Sequence, residues 1–299
     1  MAEPAVPEPR RCLVTGANSG IGREATLRLV RRGHPVVMGC RSRERARRAR
    51  AAILAEVPSA ELEVLELDLA DLGSVREAAG AFRDRHGQLD VLVANAGLYR
   101  SDLRRTQAGF EETMAVNHLG HFLLANLLLD PLRRAGGRVL VVSSEAHRHG
   151  DLASRPLDAV LRGEGGYSGL RAYGDSKLAN VLFARELARR EADRGVSAAA
   201  VHPGMLATRI WNRNRDPLSL LLRLGKPLMG RAGEGGAAVA RLAVGPASGF
   251  GRGRYFDRLE PSEPAPQARD PELARRLWEV SARAVGLEGP IDAGTASGA

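Results

Sequence analysis

Short apolar runs alternate with stretches of helical periodicity along the first 200 residues. Cys12–Val14 reads as a short strand entering a glycine turn, and Gly20 to Arg32 as the helix that follows. Val36–Cys40 is a second strand, succeeded by an arginine-rich helix from Arg43 to Glu56. Leu62–Leu67 alternates like a third strand, and Leu89–Ala94, Val139–Val142 and Val196–Val201 are further runs of the buried type. Alternation at this spacing predicts βαβ units with right-handed crossovers and a parallel sheet. No internal repeat and no domain boundary interrupts residues 11–286, which read as one domain. Residues 205–232 are less regular. Met1–Arg10, rich in proline, is expected to be flexible, and the Gly/Ala/Ser-rich residues 287–299 to be disordered. Pro261–Pro266 reads as a surface loop, because a helix carrying Leu273, Leu277 and Trp278 follows it.

Composition narrows the class. The 299 residues are 44% hydrophobic and 26% charged, with a mean hydropathy of -0.21. That is a soluble globular chain and excludes collagen-like, coiled-coil and disordered classes. No run of about 18 apolar residues predicts a transmembrane helix, and Met1–Arg10 lacks the apolar segment of a secretory signal. Cys12 and Cys40 make neither a disulfide framework nor a metal site, so a reducing cytoplasm is expected. No His/Cys/Asp cluster has metal-ligand spacing.

The net charge is +9; of 44 basic residues only Lys177 and Lys226 are lysine, leaving 42 arginines. Three readings compete: an arginine-biased coding composition, a local anion site for a phosphate-bearing cofactor, and a nucleic-acid surface. The arginines are spread along the chain, with no basic run interleaved with aromatics, so no nucleic-acid partner is expected.

The anion site has a candidate. Thr15-Gly16-Ala17-Asn18-Ser19-Gly20-Ile21-Gly22 joins the first strand to the first helix. The glycine spacing is G-x3-G-x-G, but its logic is that of a dinucleotide loop. Gly16 permits the tight turn, Gly20 lets backbone approach a pyrophosphate, and Gly22 lets the helix pack close. The helix N-terminus then offers N–H groups and a positive dipole end to phosphates. After strand two, Gly39-Cys40-Arg41-Ser42-Arg43 has no acid to bind a free ribose 2′-hydroxyl. Arg41 instead offers a charge-assisted fork to a 2′-phosphate, which favours NADP(H) over NAD(H). Asp68 and Leu69 end strand three where an adenine would lie, although Asp68 also suits a helix cap. Asn95-Ala96-Gly97 ends strand four with small residues that let backbone line a cofactor.

Tyr173 and Lys177 stand four apart, on one face of a helix. An ammonium beside a phenol favours the phenolate and is expected to lower its pKa toward neutral. A tyrosine so tuned exchanges a proton with a carbonyl or alcohol oxygen. Ser143 and Ser144 end the strand Val139–Val142; alternation sends their side chains opposite ways, and either serine is a candidate to hold the substrate oxygen. Asn117 lies in a long helical segment, Phe110 to Leu132, and reads either as a relay partner of Lys177 through water or as a satisfied buried amide.

Together these motifs, with His202-Pro203-Gly204, resemble the short-chain dehydrogenases/reductases from about residue 10 to 286. The resemblance implies an α/β, doubly wound Rossmann fold with a seven-stranded, mostly parallel sheet and helices on both faces. It implies an Asn117-Ser144-Tyr173-Lys177 tetrad, with Ser144 chosen from the serine pair. Lys177 would also hold the nicotinamide ribose, and Pro203, Gly204 and Thr208 would meet the nicotinamide end. Cys40-Arg41-Ser42, Asn117-His118-Leu119-Gly120-His121-Phe122, Ser144-Glu145-Ala146-His147, Ser176-Lys177-Leu178-Ala179-Asn180 and Arg276-Leu277-Trp278 are most similar to the retinol dehydrogenase-like subgroup, which commonly prefers NADP(H). Many eukaryotic members carry an N-terminal membrane anchor. This chain starts almost at strand one, which implies a soluble enzyme and weakens the case for a retinoid.

Residues 205–232 hold Trp211, Leu218, Leu220, Leu221, Leu222, Leu224, Leu228 and Met229. The stretch reads as an apolar substrate lid, as core or subunit contact, or, with its flanking arginines and Lys226, as a peripheral membrane contact. His147 and His149 read as loop residues. The helices around 108–132 and 172–194 are either a homodimer face or part of the core. The expected function is NADP(H)-dependent interconversion of carbonyl and alcohol groups in a small lipophilic substrate. The alternatives are a protochlorophyllide-reductase-like enzyme and a non-catalytic NADPH sensor.

Overall fold

The computed structural model describes residues 8–204, 232–246, 250 and 253–287. Thr208 and nearly all of the expected lid segment, residues 205–231, lie outside the described residues, as do 1–7 and 288–299.

Eight strands form one sheet: β1 Cys12–Thr15, β2 Val36–Cys40, β3 Leu62–Glu66, β4 Val91–Ala94, β5 Arg138–Val142, β6 Ser197–His202, β7 Tyr255–Asp257 and β8 Glu260–Ser262. Their order is β3-β2-β1-β4-β5-β6-β7-β8. Every pairing is parallel except β7 with β8. The expected sheet therefore gains one strand. Glu260–Ser262 folds back antiparallel from β7 through a turn in which Arg258 takes a φ of 55°. Pro261, expected in a loop, is tolerated because an edge strand leaves an N–H side free of partners.

The helices are α1 Gly20–Val30, α2 Arg43–Glu56, α3 Leu72–Arg85, α4 Glu112–Met114, α5 Gly120–Leu127, α6 Leu129–Ala135, α7 Leu157–Arg162, α8 Gly169–Arg190, α9 Ala232–Val244 and α10 Pro271–Ala284. Side chains alternate across the sheet, so β1 sends Leu13 into the core under α3, α5 and α8, and Cys12 and Val14 into the core under α1, α2 and α9. The expected single helix Phe110–Leu132 is broken. A π-helical turn, Ala115–Leu119, separates α4 from α5, and a kink at Leu128 starts α6. Such insertions of one wide turn concentrate at functional sites, and this one carries Asn117.

Trp278 of α10 sits against Phe122 of α5, with ring centroids 4.8 Å apart, and Phe183 of α8, at 5.9 Å. Phe122 and Phe183, on the helices read as dimer face or core, are thus covered by α10 of the same chain. Sequence order reverses between β1 and β4, so their C-terminal ends open the crevice where open α/β sheets bind ligands.

Candidate active site

The loop after β1 is built as a tight turn, with Gly16 at φ 68° and Gly20 at φ 54°. A Cβ on Gly22 would lie 2.5 Å from the Gly16 carbonyl oxygen and 2.6 Å from the Asn95 amide, so only glycine lets α1 start this close. Asn95 spends its side chain on the loop, donating from Nδ2 to the Thr15 carbonyl at 2.8 Å. The Cys40 sulfur accepts the Ala17 and Asn18 N–H groups, and burial pushes the thiol up to about 11. Ser19 caps α1 with no side-chain hydrogen bond, which leaves the first-turn N–H groups directed at the crevice and suited to a pyrophosphate.

From this loop a cleft of about 1470 Å³ runs across the sheet. Gly16, Asn18, Ser19, Gly20, Ile21, Gly22, Arg41, Asp68, Leu69, Asn95, Ala96, Gly97, Ser144, Tyr173, Lys177, Pro203 and Gly204 all line it. The residues expected of a dinucleotide site and of proton transfer therefore line one continuous space. At one end Arg41 faces Asp68, Nε to Oδ2 4.0 Å, and Arg45 and Arg48 of α2 line the same wall. The last two were missed in the sequence. Their spacing from Arg41, four and seven residues onto a helix, is the signal that points to them. Asp68 also accepts the Ala70 N–H at 3.0 Å, but the cap of α3 is Asp71, which accepts from the Gly73 and Ser74 N–H groups, so the helix-cap reading of Asp68 is corrected by three residues.

At the other end β5 separates the two serines. Ser143 turns inward and donates to the Lys177 carbonyl at 2.7 Å. Ser144 faces the cleft and hydrogen-bonds Tyr173. Lys177 lies one turn beyond Tyr173 on α8, with Nζ 5.6 Å from the phenol ring centroid and donating to the Val142 carbonyl at 3.2 Å.

The expected depression of the Tyr173 pKa is not what this arrangement produces. Burial pushes the phenol up to about 12, and the Ser144 hydrogen bond offsets only part of that. Burial also pushes Lys177 down to about 8. Desolvation disfavours the charged form of both groups and is the largest cause for each. Near neutral pH Tyr173 is a phenol, the form that donates a proton.

Asn117 is fully buried and does not line the cleft. Its Oδ1 accepts the Leu98 N–H at 2.8 Å, and its Nδ2 donates to the Leu98 carbonyl and to Ser176 Oγ, both at 3.0 Å. Its side chain fixes the backbone after β4, which is the satisfied-amide reading. Its carbonyl oxygen meets His121 Nδ1 at 3.1 Å, and His121 Nε2 meets Thr15 Oγ1 at 2.8 Å. The π turn is thereby tied to the end of β1.

Glu145, His149, Leu170, Arg171 and His202 also line the cleft and were not assigned to it from sequence. Leu170 is the exposed large hydrophobic residue among those described. No metal-binding cluster occurs among the described residues, and no helix among them is long and apolar enough to cross a membrane.

Comparison with known proteins agrees with this architecture. The short chain dehydrogenase family matches residues 10–154. The bovine (Bos taurus) dehydrogenase/reductase SDR family member 13 is 44% identical over 285 residues, covering 93% of this chain and 74% of that protein. Human (Homo sapiens) retinol dehydrogenase 14 is 38% identical over 307 residues, covering 95% and 89%. Among solved structures, the Pseudomonas aeruginosa RhlG/NADP active-site complex superposes with a TM-score of 0.66 at 25% identity, over 86% of this chain and 97% of that one.

Proposed function

The chain belongs to the short-chain dehydrogenase family, in its retinol dehydrogenase-like branch, and from that premise we propose that it is an NADP(H)-dependent oxidoreductase acting on a lipophilic aldehyde or ketone and the corresponding alcohol. The observation that carries this reading is the hydrogen-bonded pair Ser144 and Tyr173, with Lys177 one turn on, at the end of a cleft whose opposite wall bears Arg41, Arg45 and Arg48.

The residues fit the cofactor. The uncapped start of α1 and Gly16–Gly22 suit the pyrophosphate. Arg41, aided by Arg45 and Arg48, suits a 2′-phosphate, and Lys177, Pro203 and Gly204 suit the nicotinamide end. Asp68 and Leu69 flank the adenine position, and Asn95, Ala96 and Gly97 supply the floor. The reduced nicotinamide, when bound, supplies the hydride to the carbonyl carbon.

The chain's own residues handle the oxygen. Ser144 orients the carbonyl oxygen toward Tyr173. Tyr173, a phenol at neutral pH, gives its proton to that oxygen as charge builds there, and takes it back in the oxidation direction. Lys177 stabilises the phenolate that results, and Asn117 keeps the floor of the site in register. Val116, Leu98, Ala146 and Leu170 provide apolar wall for the substrate's body. A cytoplasmic location fits this chemistry.

The test is oxidation of NADPH and NADH at 340 nm with a panel of lipophilic aldehydes and ketones, retinal included. NADPH-dependent turnover that disappears in Tyr173→Phe supports the reading. NADH-dependent turnover alone overturns the cofactor assignment. Turnover that survives Tyr173→Phe overturns the proton-transfer assignment.

A further inference from the structure

His147 was expected to be a loop residue, and the fold makes it something else. It is 0% exposed and lies in the 3-10 turn Glu145–His149 that directly follows Ser144. Its Nδ1 is 2.8 Å from the Ser144 carbonyl oxygen. A carbonyl only accepts, so Nδ1 carries the hydrogen. Its Nε2 is 3.0 Å from the backbone nitrogen of Ala265. A backbone N–H only donates, so Nε2 is bare. Two partners of fixed polarity select one neutral tautomer of the ring.

The ring thus bridges the serine's own peptide to a segment 118 residues away. That segment follows the β7–β8 hairpin and is laced to the same region by further hydrogen bonds, among them Gln267 Nε2 donating to Asp151 Oδ1 at 3.3 Å. Arg148 donates to the Glu263 carbonyl at 2.9 Å, and the Leu152 N–H donates to Gln267 Oε1 at 3.1 Å. The Tyr255 ring flanks the imidazole at a centroid distance of 4.8 Å. Glu145, Arg148 and His202 are the charged and titratable groups around it.

We propose that His147 is a positioning residue, which sets Ser144 against Tyr173 by anchoring the Ser144 carbonyl to Ala265. The inference rests on the reading of Ser144 and Tyr173 as the proton-transfer pair. Burial holds the imidazole pKa below its ordinary value, in keeping with a ring that works uncharged.

Two substitutions separate the two bonds. In His147→Asn the amide nitrogen takes the place of Nδ1 and still donates to Ser144, while Ala265 loses its acceptor. In His147→Gln the amide reaches the Nε2 position and still accepts from Ala265, while the Ser144 carbonyl loses its side-chain donor and keeps only the backbone N–H of residue 147, which stands at 3.0 Å. Ala265→Pro serves as a third variant with every side chain of the site intact. Ala265 has φ -53° and ψ 151°, which proline adopts without strain, but the donor is lost and a ring carbon presses on Nε2.

The readouts are the Kd for NADPH, the ¹³Cζ resonance of Tyr173, and kcat with retinal as the probe. The protein has four tyrosines, so Tyr173→Phe assigns the resonance. The expected result is NADPH binding within about twofold of wild type in all three. His147→Gln and Ala265→Pro move the Tyr173 resonance and lower kcat about tenfold or more, and His147→Asn loses less than about threefold. An unmoved Tyr173 resonance in His147→Gln and Ala265→Pro overturns the proposal. So do equal losses in His147→Asn and His147→Gln that track thermal stability alone. Wild-type protein that reduces no member of the aldehyde and ketone panel counts against the proposed function, while the tyrosine resonance still decides the role of His147.

Discussion

Gly150 and Gly174 touch where the segment after Ser144 crosses the helix that bears Tyr173. A Cβ on Gly150 would lie 2.6 Å from the Gly174 carbonyl oxygen, and one on Gly174 would lie 3.1 Å from the Ala146 carbonyl oxygen. The spacing between the serine strand and the tyrosine helix is therefore set by the absence of two methyl groups. Ser143, bonded to the Lys177 carbonyl, pins the same pair of elements one step away.

The contact predicts unequal effects of alanine. Gly150→Ala drives a methyl into backbone, which cannot rotate away, and is expected to destabilise the protein by about 1–3 kcal/mol. Gly174→Ala meets a looser contact and gains up to about 1 kcal/mol of helix propensity in the middle of α8. Its net change is expected to stay within about 1 kcal/mol. Urea unfolding of the two variants checks the order, and a Gly174→Ala loss that equals or exceeds that of Gly150→Ala contradicts the geometry.

Tyr173→Phe is expected to lower kcat about 10²–10⁴-fold, the usual worth of a positioned proton donor, with NADPH affinity retained. The two pKa values also give a pH profile. Lys177 in the free enzyme titrates at about 8, whereas Tyr173 keeps its proton to about 12. In the reduction direction kcat/KM for NADPH, which reports free-enzyme groups, is expected to fall above pH 8 by about tenfold per unit. A profile flat from pH 7 to 10 would remove Lys177 from the proposed role.

The parts of this site legible in the sequence are those fixed by local pattern. The β1–Gly16–α1 turn announces itself because an apolar run, a glycine loop and a helix must follow one another. The opposite orientation of Ser143 and Ser144 follows from strand alternation, and the structure assigns each its own partner. The π turn at Ala115–Leu119 is invisible because residues 113–126 are buried on every side, so no polar face marks the helical phase that the wide turn shifts. The sign of the Tyr173 shift was misread because a four-residue spacing reports a neighbour but not the burial that opposes it. His147 was missed because its partner, Ala265, is brought to it only by the sheet's last hairpin.

Arg41 predicts cofactor discrimination. Its side chain is 42% exposed and faces Asp68 at 4.0 Å, so it is free to turn to an anion while Asp68 weakens the field it offers. Charge-assisted hydrogen bonds contribute about 1.5–3 kcal/mol. Arg41→Ala is accordingly expected to raise the Kd for NADPH about 10–100-fold, with little change for NADH. Arg45→Ala, at the same wall without that direct approach, is expected to cost less. Fluorescence titration with both nucleotides measures the ratio, and an equal loss for NADPH and NADH would refute 2′-phosphate recognition by Arg41.

Two buried histidines on the π turn and α5 predict the acid limit of the fold. Burial, the largest cause for each, lowers His118 to about 3 and His121 to about 4. The ordinary value of 6.5 applies once the chain unfolds. Between pH 6.5 and 4 the unfolded state therefore binds protons that the folded state refuses. Stability is complete above pH 6.5 and falls as the pH drops through that window, by about 1.4 kcal/mol per pH unit for each histidine. His121 Nδ1 donates to the Asn117 carbonyl, so the neutral Nε2 accepts from Thr15; protonation makes Nε2 a donor and obliges the Thr15 hydroxyl to turn toward the Val93 carbonyl. His118 meets Ser281 of α10 at 2.8 Å, a hydroxyl that can accept from a protonated ring, so the cost of charging His118 lies in its burial. Urea unfolding at pH 7, 6 and 5 measures the slope. His118→Gln and His121→Gln, each removing one titrating ring, are expected to flatten it, each by about one histidine's share. A slope that neither substitution changes would assign the acid sensitivity to other groups.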